Sequence, residues 1–268
     1  MPLNLDQSLV GLLFASAVSL VSLTLRFLTV GGAVAQFFLG WALLGIGGWP
    51  WTVPILFFFV TSSMLSAVMR HQRPEIEEHF AKTGGRDALQ VGANGGLLAL
   101  LVVLNAITPS PAWYLSSLGI VAAATADTWG TEIGTLARTE PVLVTTLQRV
   151  EPGRSGAIST LGTTAGFIGA LFVAVIGLPW LPAVRTVEAL LLIVSAGALG
   201  SIVDSLLGAT IQAQFRCSVC MKVTERKDHC GLSCSLAHGY RWVSNDVVNF
   251  LCTASAGLYV WVLTRLLF

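Results

Sequence analysis

Five carboxylates, Asp87, Asp127, Glu132, Asp204 and Asp246, stand in stretches too apolar to tolerate them without a reason. Asp204 lies within Gly200-Ser201-Ile202-Val203-Asp204-Ser205-Leu206-Leu207-Gly208-Ala209-Thr210-Ile211-Gln212. At the helical repeat, Ser201, Asp204, Ser205, Gly208 and Gln212 form one polar stripe, and Ile202, Val203, Leu206 and Ile211 take the other sides. An ionisable group inside a membrane span is costly and marks a functional site, the blander reading being glue between helices. Asp127 and Glu132 belong to Ala126-Asp127-Thr128-Trp129-Gly130-Thr131-Glu132-Ile133-Gly134. They are about 140 degrees apart on a regular helix, so they are expected to converge only if the glycines loosen it. Asp87 closes Lys82-Thr83-Gly84-Gly85-Arg86-Asp87 and shares a helix face with Gln90 and Asn94. Asp246 sits in Trp242-Val243-Ser244-Asn245-Asp246-Val247-Val248-Asn249, where Asn245 and Asn249 share a face.

Cations accompany the acids. Lys82, Arg86, Arg149 and Arg154 supply positive charge, and Gly84, Gly85, Gly153 and Gly156 let backbone approach a ligand closely. Carboxylates repel phosphate unless a divalent cation lies between them. Magnesium fits that role, since it takes oxygen ligands and bridges carboxylates to phosphates. The expected arrangement has Asp127 and Asp204 on magnesium, Glu132 and Asp87 as further ligands, and Asn245 and Asn249 orienting head-group oxygens. Ser155, Ser159, Ser201 and Ser205 add hydroxyls. Such a set suits phosphoryl or nucleotidyl transfer to a lipid head group, where the work is positioning and charge neutralisation. The bland alternatives are turn geometry for the glycines and membrane topology for the basic residues.

Helices must carry these residues, because the chain is 54% hydrophobic and 11% charged over 268 residues. That composition excludes a soluble domain, and no Lys/Arg run resembles a nucleic-acid-binding arm. The expected fold is an all-α polytopic membrane helix bundle, one transmembrane domain over 1–268, with about eight spans of roughly 20 residues. They run Leu9 to Leu28, Gly31 to Gly48, Trp51 to Met69, Asp87 to Ile107, Trp113 to Leu136, Ala157 to Leu178, Val187 to Ile211 and Val243 to Leu267. The second is short and glycine-rich, which leaves re-entry or tilt open. The first reads as a span and not as a removed signal. Pro50, Pro109, Pro111, Pro179 and Pro182 mark the turns. Thirteen of the fifteen Lys and Arg residues, Arg73 among them, then fall on one side, with Arg185 and Arg265 opposite. Cytoplasmic loops keep such an excess. The expectation is a multi-pass protein of the cell membrane with both termini outside and the long polar loops cytoplasmic. Helices four, six and eight then start at the cytoplasmic face, where their N-terminal dipoles favour anions.

Residues 213–242 form a polar cytoplasmic loop holding Cys217-Ser218-Val219-Cys220, His229-Cys230 and Cys234. This spacing resembles a small zinc knuckle, with Cys217, Cys220 and Cys230 completed by His229 or by Cys234. Reduced cytoplasmic thiols without metal are the alternative. Cys252, in the last span, reads as a buried small apolar residue.

Four ordered motifs resemble one family of integral membrane proteins, which includes the chloroplast phytyl-phosphate kinase of tocopherol synthesis. They are Gly85-Arg86-Asp87-Ala88-x-Gln90-Val91-x-x-Asn94-Gly95, Ala126-Asp127-Thr128-Trp129-x-x-Glu132-Ile133-Gly134, Gly200-Ser201-x-x-Asp204-Ser205-x-x-Gly208-Ala209 and Asn245-x-x-Val248-Asn249. Arg26-x-Leu28-Thr29-x-x-Gly32 resembles its N-terminal motif. The resemblance implies transfer of the γ-phosphate of a nucleoside triphosphate, CTP or ATP, to an isoprenyl monophosphate. The chain departs from the family at Gly153-Arg154-Ser155-Gly156-Ala157-Ile158-Ser159, where Arg154 stands in as a cation, and at Ser66-Ala67, where Thr-Lys is usual. A transporter or flippase for a phosphorylated lipid or solute is the competing class, and a scaffold without chemistry a third.

Overall fold

The computed structural model describes residues 5–72, 79–82, 84–181 and 186–267. Arg73, Thr83, Pro182 and Arg185, used above for loops and charge, lie outside the described residues. Eight long helices appear in chain order: α1 (Leu5–Thr24), α2 (Val30–Ala42), α3 (Trp49–Gln72), α4 (Ala88–Ile107), α5 (Pro111–Gly134), α6 (Thr160–Gly177), α7 (Thr186–Thr210) and α8 (Asn245–Leu267). A π-helical turn, Leu43–Gly47, continues α2, so the short second segment reaches a spanning length. Seven of the eight are long and apolar enough to cross a membrane.

The exception, α5, is the centre of the bundle. It packs against α3, α4, α6, α7 and α8, and every residue from Tyr114 to Ala126 is buried. A helix that meets only protein has no need of large apolar side chains, and small ones let its neighbours approach. That explains Ser116, Ser117 and the Ala122-Ala123-Ala124 run. The hydroxyls of Ser117 and Thr125 donate to Tyr114 O and Val121 O within the helix, at 2.6 and 2.7 Å. Pro54 inside α3 cannot donate a backbone bond to Pro50 O. The Tyr114 hydroxyl reaches that carbonyl at 3.3 Å, and Gly177 O at 3.1 Å, tying α3, α5 and α6 together at the end remote from the polar motifs.

Side-chain caps set the helix starts. Thr29, Asp87, Ser110 and Ser159 accept from the backbone N–H groups of Gly32, Gln90, Ala112 and Gly162. Most expected boundaries move by a few residues, and three of the shifts have a local cause. The first helix stops at Thr24, not Leu28, because Arg26 takes a left-handed φ of 58°. The freed segment pairs with the stretch before α4, Thr29 N donating to Arg86 O at 3.0 Å and Arg86 N to Phe27 O at 2.9 Å. A Cβ on Gly32 would lie 2.1 Å from Arg86 O, so this contact requires glycine. The sixth helix starts at Thr160, since Ala157–Ile158 (β2) pairs with Val142–Leu143 (β1). The eighth starts at Asn245, after a turn in which Val243 N donates to Tyr240 O at 2.9 Å.

The loop over 213–242 is a small β unit. Strands β3 (Gln214–Arg216), β4 (Val223–Thr224) and β7 (Ser235–His238) form a sheet in the order β4-β3-β7. A hairpin of β5 (Asp228–His229) and β6 (Leu232–Ser233) projects from it.

Candidate functional site

The polar motifs converge on one cavity of about 790 Å³. Its wall includes Lys82, Arg86, Gln90, Asn94, Asp127, Glu132, Arg154, Ser155, Ser159, Ser201, Asp204, Ser205, Asn245, Asp246 and Asn249. Helices α4, α6 and α8 present their N-terminal ends here.

At the deep side the carboxyl groups of Asp127 on α5 and Asp204 on α7 meet. One oxygen of Asp204, Oδ2, is buried with no hydrogen-bond partner among the described residues. Two carboxylates in contact repel unless a proton or a cation lies between them. Their oxygen donors and the orphaned Oδ2 fit a magnesium ion.

Glu132 lies on a different side. It accepts a hydrogen bond from the Ser66 hydroxyl of α3 and feels the charge of Arg86. Helix α5 runs unbroken to Gly134, so the expected convergence of Asp127 with Glu132 through loosened glycines does not occur. The two acids instead face different neighbours across a cavity broad enough to include both. Arg86 donates to Ser63 Oγ at 2.6 Å, and its guanidinium lies 5.7 Å from the centre of the Phe58 ring. Burial brings its pKa down to about 10, which leaves it cationic at neutral pH.

Arg154 lines the cavity with a buried Nε that has no partner among the described residues. Asp246 likewise has a buried, unpartnered Oδ1, while its Oδ2 lies 2.6 Å from Lys82 Nζ. Ser159 caps α6, and Asn94 Nδ2 donates to Gln90 O at 3.0 Å. Ser201, Ser205, Asn245 and Asn249 face the cavity from α7 and α8.

Asp87 does not line the cavity. It forms a capping box with Gln90 at the start of α4, and its Oδ2 lies 2.8 Å from Lys82 Nζ. Its place is therefore beside the site, as a structural acid.

Sequence reasoning missed Glu225, which reaches the cavity wall from the β unit. It accepts from Ser155 Oγ at 2.8 Å, Gln212 Nε2 at 2.6 Å and Ala81 N at 3.2 Å. Burial pushes its carboxyl pKa up against those bonds. In the sequence Glu225 stands beside Arg226 and Lys227 and reads as part of a solvated charge run. The pairing of Phe215 with Thr224, together with the bond from Glu225 N to His79 O at 2.8 Å, turns it toward the bundle.

A second, narrow crevice adjoins the cavity. It is lined by Phe14, Leu39, Leu43, Phe58, Phe59 and Gly95 and shares Arg86, Gln90 and Asn94 with the polar site.

In the β unit, one ligand atom from each of Cys217, Cys220, His229 and Cys230 lies within 4.8 Å of all the others. Cys234 also approaches Cys217. Cys252 is buried in α8.

A bundle of long apolar helices whose central helix carries acids into a cation-lined cavity defines a polytopic membrane protein. The chain belongs to the DUF92 family of integral membrane proteins, the match covering residues 13–257. The chain is 28% identical to Protein PGR of Arabidopsis thaliana, over 94% of this chain and 96% of that protein. It is 30% identical to the uncharacterized membrane protein MJ0933 of Methanocaldococcus jannaschii, over 78% of this chain and 85% of that one. Protein VTE6, chloroplastic, of Arabidopsis thaliana is 24% identical over 89% of this chain and 65% of its own length. No solved structure matches the chain.

Proposed function

We propose that the protein is a membrane kinase that transfers the γ-phosphoryl group of CTP or ATP to an isoprenyl monophosphate of the phytyl kind, giving the diphosphate. The observation that carries this reading is the shared wall of Arg86, Gln90 and Asn94 between the polar cavity and the apolar crevice. The crevice, about 70 Å³, is too small to enclose a long apolar tail, so it would mark only where the tail of a charged-headed lipid leaves the polar site toward the apolar helix faces. The cavity volume, about 790 Å³, lies within the range of small-molecule sites.

In the transfer, an oxygen of the lipid monophosphate forms a bond to the γ-phosphorus while the bond from that phosphorus to the nucleoside diphosphate breaks. The nucleophile is already an anion, so no base is needed. Arg86, Arg154 and Lys82 neutralise the phosphates, the unpaired donor of Arg154 being the clearest anion contact. Ser201, Ser205, Asn245 and Asn249 orient head-group oxygens. Asp127 and Asp204 would hold magnesium, which would offset the charge gathered on the phosphate oxygens. Holding the reactants in line is the larger part of such catalysis. The cavity is read as opening to the cytoplasm, the side with thirteen of the fifteen Lys and Arg residues and with the nucleotide.

A transporter or flippase for a phosphorylated solute or lipid is the second reading, favoured by the Asp127–Asp204 contact, since intramembrane carboxylates also couple ions. One experiment separates the two. Purified protein is given radiolabelled CTP or ATP, magnesium and phytyl or geranylgeranyl monophosphate, and the lipid products are resolved. Labelled diphosphate is the expected result. Absence of product with either nucleotide, together with uptake of the phosphorylated compound into proteoliposomes, would establish the transporter instead.

A further inference from the structure

We propose that Cys217, Cys220, His229 and Cys230 bind one structural zinc ion, and that this ion clamps the β unit against the mouth of the cavity. Zinc–sulfur bonds of about 2.3 Å and zinc–nitrogen bonds of about 2.0 Å place tetrahedral ligands roughly 3.5 to 3.8 Å apart. His229 Nδ1 lies 3.4 Å from Cys220 Sγ and 3.2 Å from Cys230 Sγ, so these pairs already sit close to tetrahedral edges.

The backbone around the first pair has the form of a metal knuckle. Val219 N points at Cys217 Sγ at 3.4 Å, Met221 N donates to Cys217 O at 3.1 Å and Cys217 N to Lys222 O at 3.1 Å. This tight turn holds Met221 at a φ of 61°, and the second turn holds Cys230 at 53°, both rare for side chains larger than glycine. Strained turns persist where the surroundings over-determine them, and a bound ion does that. No disulfide joins the cysteines among the described residues. Four protein ligands fill a tetrahedron and leave no open position, so the ion is structural and not catalytic.

What the ion clamps is visible in the bonds that leave the hairpin of β3 and β4. His79 O accepts from Glu225 N at 2.8 Å and from Thr224 Oγ1 at 3.1 Å. Arg226 Nε donates to Phe80 O at 3.0 Å. The same hairpin therefore fixes residues 79–82, which carry Lys82, and sets Glu225 on Ser155 and Gln212. The zinc assignment stands whether or not the cavity transfers phosphate; only the importance of the clamp for catalysis rests on the proposed kinase.

The full-length protein, purified in detergent without added metal, is analysed for metal content. About one zinc per chain is expected, falling below a tenth of an equivalent in Cys217→Ser and Cys230→Ser. His229→Cys, which restores four ligands, should keep the metal even where His229→Ala loses it. Cys234→Ser should also keep it. Wild-type protein with less than a tenth of an equivalent overturns the site, and this reading holds even if the serine variants fail to fold. Loss of zinc in Cys234→Ser with retention in His229→Ala overturns the ligand set. Hydrogen exchange before and after chelation tests the clamp: the amides of Ala81 and Glu225 should exchange at least tenfold faster without zinc, and unchanged exchange overturns it.

Discussion

The ammonium group of Lys82 lies 2.6 Å from Asp246 Oδ2 and 2.8 Å from Asp87 Oδ2, so one cation ties the start of α8 to the start of α4. Burial pulls the Lys82 pKa down, but its bonds to both acids more than reverse this and hold it above the ordinary lysine value. Burial pushes Asp87 up, and its bonds to Lys82 and to the Gln90 amide more than reverse that, holding it below the ordinary carboxylate value. The raised lysine contributes stability in full below its unfolded value of about 10.4, and loses it as pH rises through the higher folded value. The lowered carboxylate contributes in full above its unfolded value of about 3.9, and loses it as pH falls through the lower folded value. Lys82→Met should therefore cost about 1 kcal/mol at most through Asp87, since about a third of both side chains is exposed, and more through Asp246, whose side chain is only 12% exposed and would be left without a counter-charge. The stability difference from wild type should be flat from about pH 5 to 9 and shrink at both extremes, as measured by thermal unfolding in detergent.

Asp127 and Asp204 carry the strongest prediction about chemistry. Replacement of either by Asn preserves size and removes charge from a contact of two acids, so the variants should fold at least as stably as the wild type. Phosphoryl transfer should fall by roughly a thousandfold or more, because stabilising the charge that gathers on the transferring group usually accounts for most of the rate enhancement. Asp6, in the first turn of α1, serves as the control, and Asp6→Asn should change the rate less than twofold. Near-parental rate in the variant with Asn at both 127 and 204, with unchanged magnesium dependence, would remove these residues from the site.

Gly32→Ala tests the packing of α2 against the stretch before α4. The added Cβ would meet a backbone oxygen, Arg86 O, and not a flexible side chain. Overpacking of this kind costs about 1–3 kcal/mol, and here it should also displace Arg86. A lower melting temperature together with weaker nucleotide or lipid-phosphate binding is expected. Wild-type values for both would show that the contact is slack.

How much of the fold and site is legible in the residues depends on what each signal measures. Spacing of small polar groups near span ends locates the cavity wall, because helices of similar length in one bilayer bring their ends to one depth. Asp87 reads as a ligand because charge type alone does not distinguish a cap from a site; the Asp-x-x-Gln spacing is the signal for its capping box. Helix α5 reads as one span among eight, although its Ser116-Ser117 pair and alanine run mark a helix surrounded by protein. Glu225 stays hidden, since its approach to Ser155 depends on a two-residue strand pairing that no periodicity announces.

Orientation is tested at the two ends of the bundle. Leu147 is an exposed residue in the loop between α5 and α6, at the cavity end, and Thr108 is exposed at the other end, after α4. In intact cells an impermeant maleimide should label Thr108→Cys. It should leave Leu147→Cys untouched until the membrane is opened. Labelling in the reverse order would place the cavity outside.

The crevice beside Arg86, Gln90 and Asn94 makes a prediction that a soluble-substrate site would not make. Gly95 of α4 faces Leu39 of α2 across it, and a Cβ there would come within 2.5 Å of Leu39 Cδ2. That atom ends a flexible side chain, so Gly95→Val can be accommodated by turning Leu39 into the crevice. The fold should survive while the apolar space is lost. Glycine-to-valine exchange in a helix carries its own small propensity effect, but that effect is blind to the length of the substrate. If the isoprenyl tail runs along this crevice, transfer to a twenty-carbon monophosphate should fall at least tenfold. Transfer to dimethylallyl monophosphate, whose five carbons end near the shared polar wall, should stay within about twofold of wild type. A tenfold loss in kcat/KM is about 1.4 kcal/mol, within what displacing a few buried methylenes costs at about 0.8 kcal/mol each. Equal loss for both substrates would mean that Gly95→Val disturbs the polar site directly, and no loss for either would mean that the tail leaves by another route.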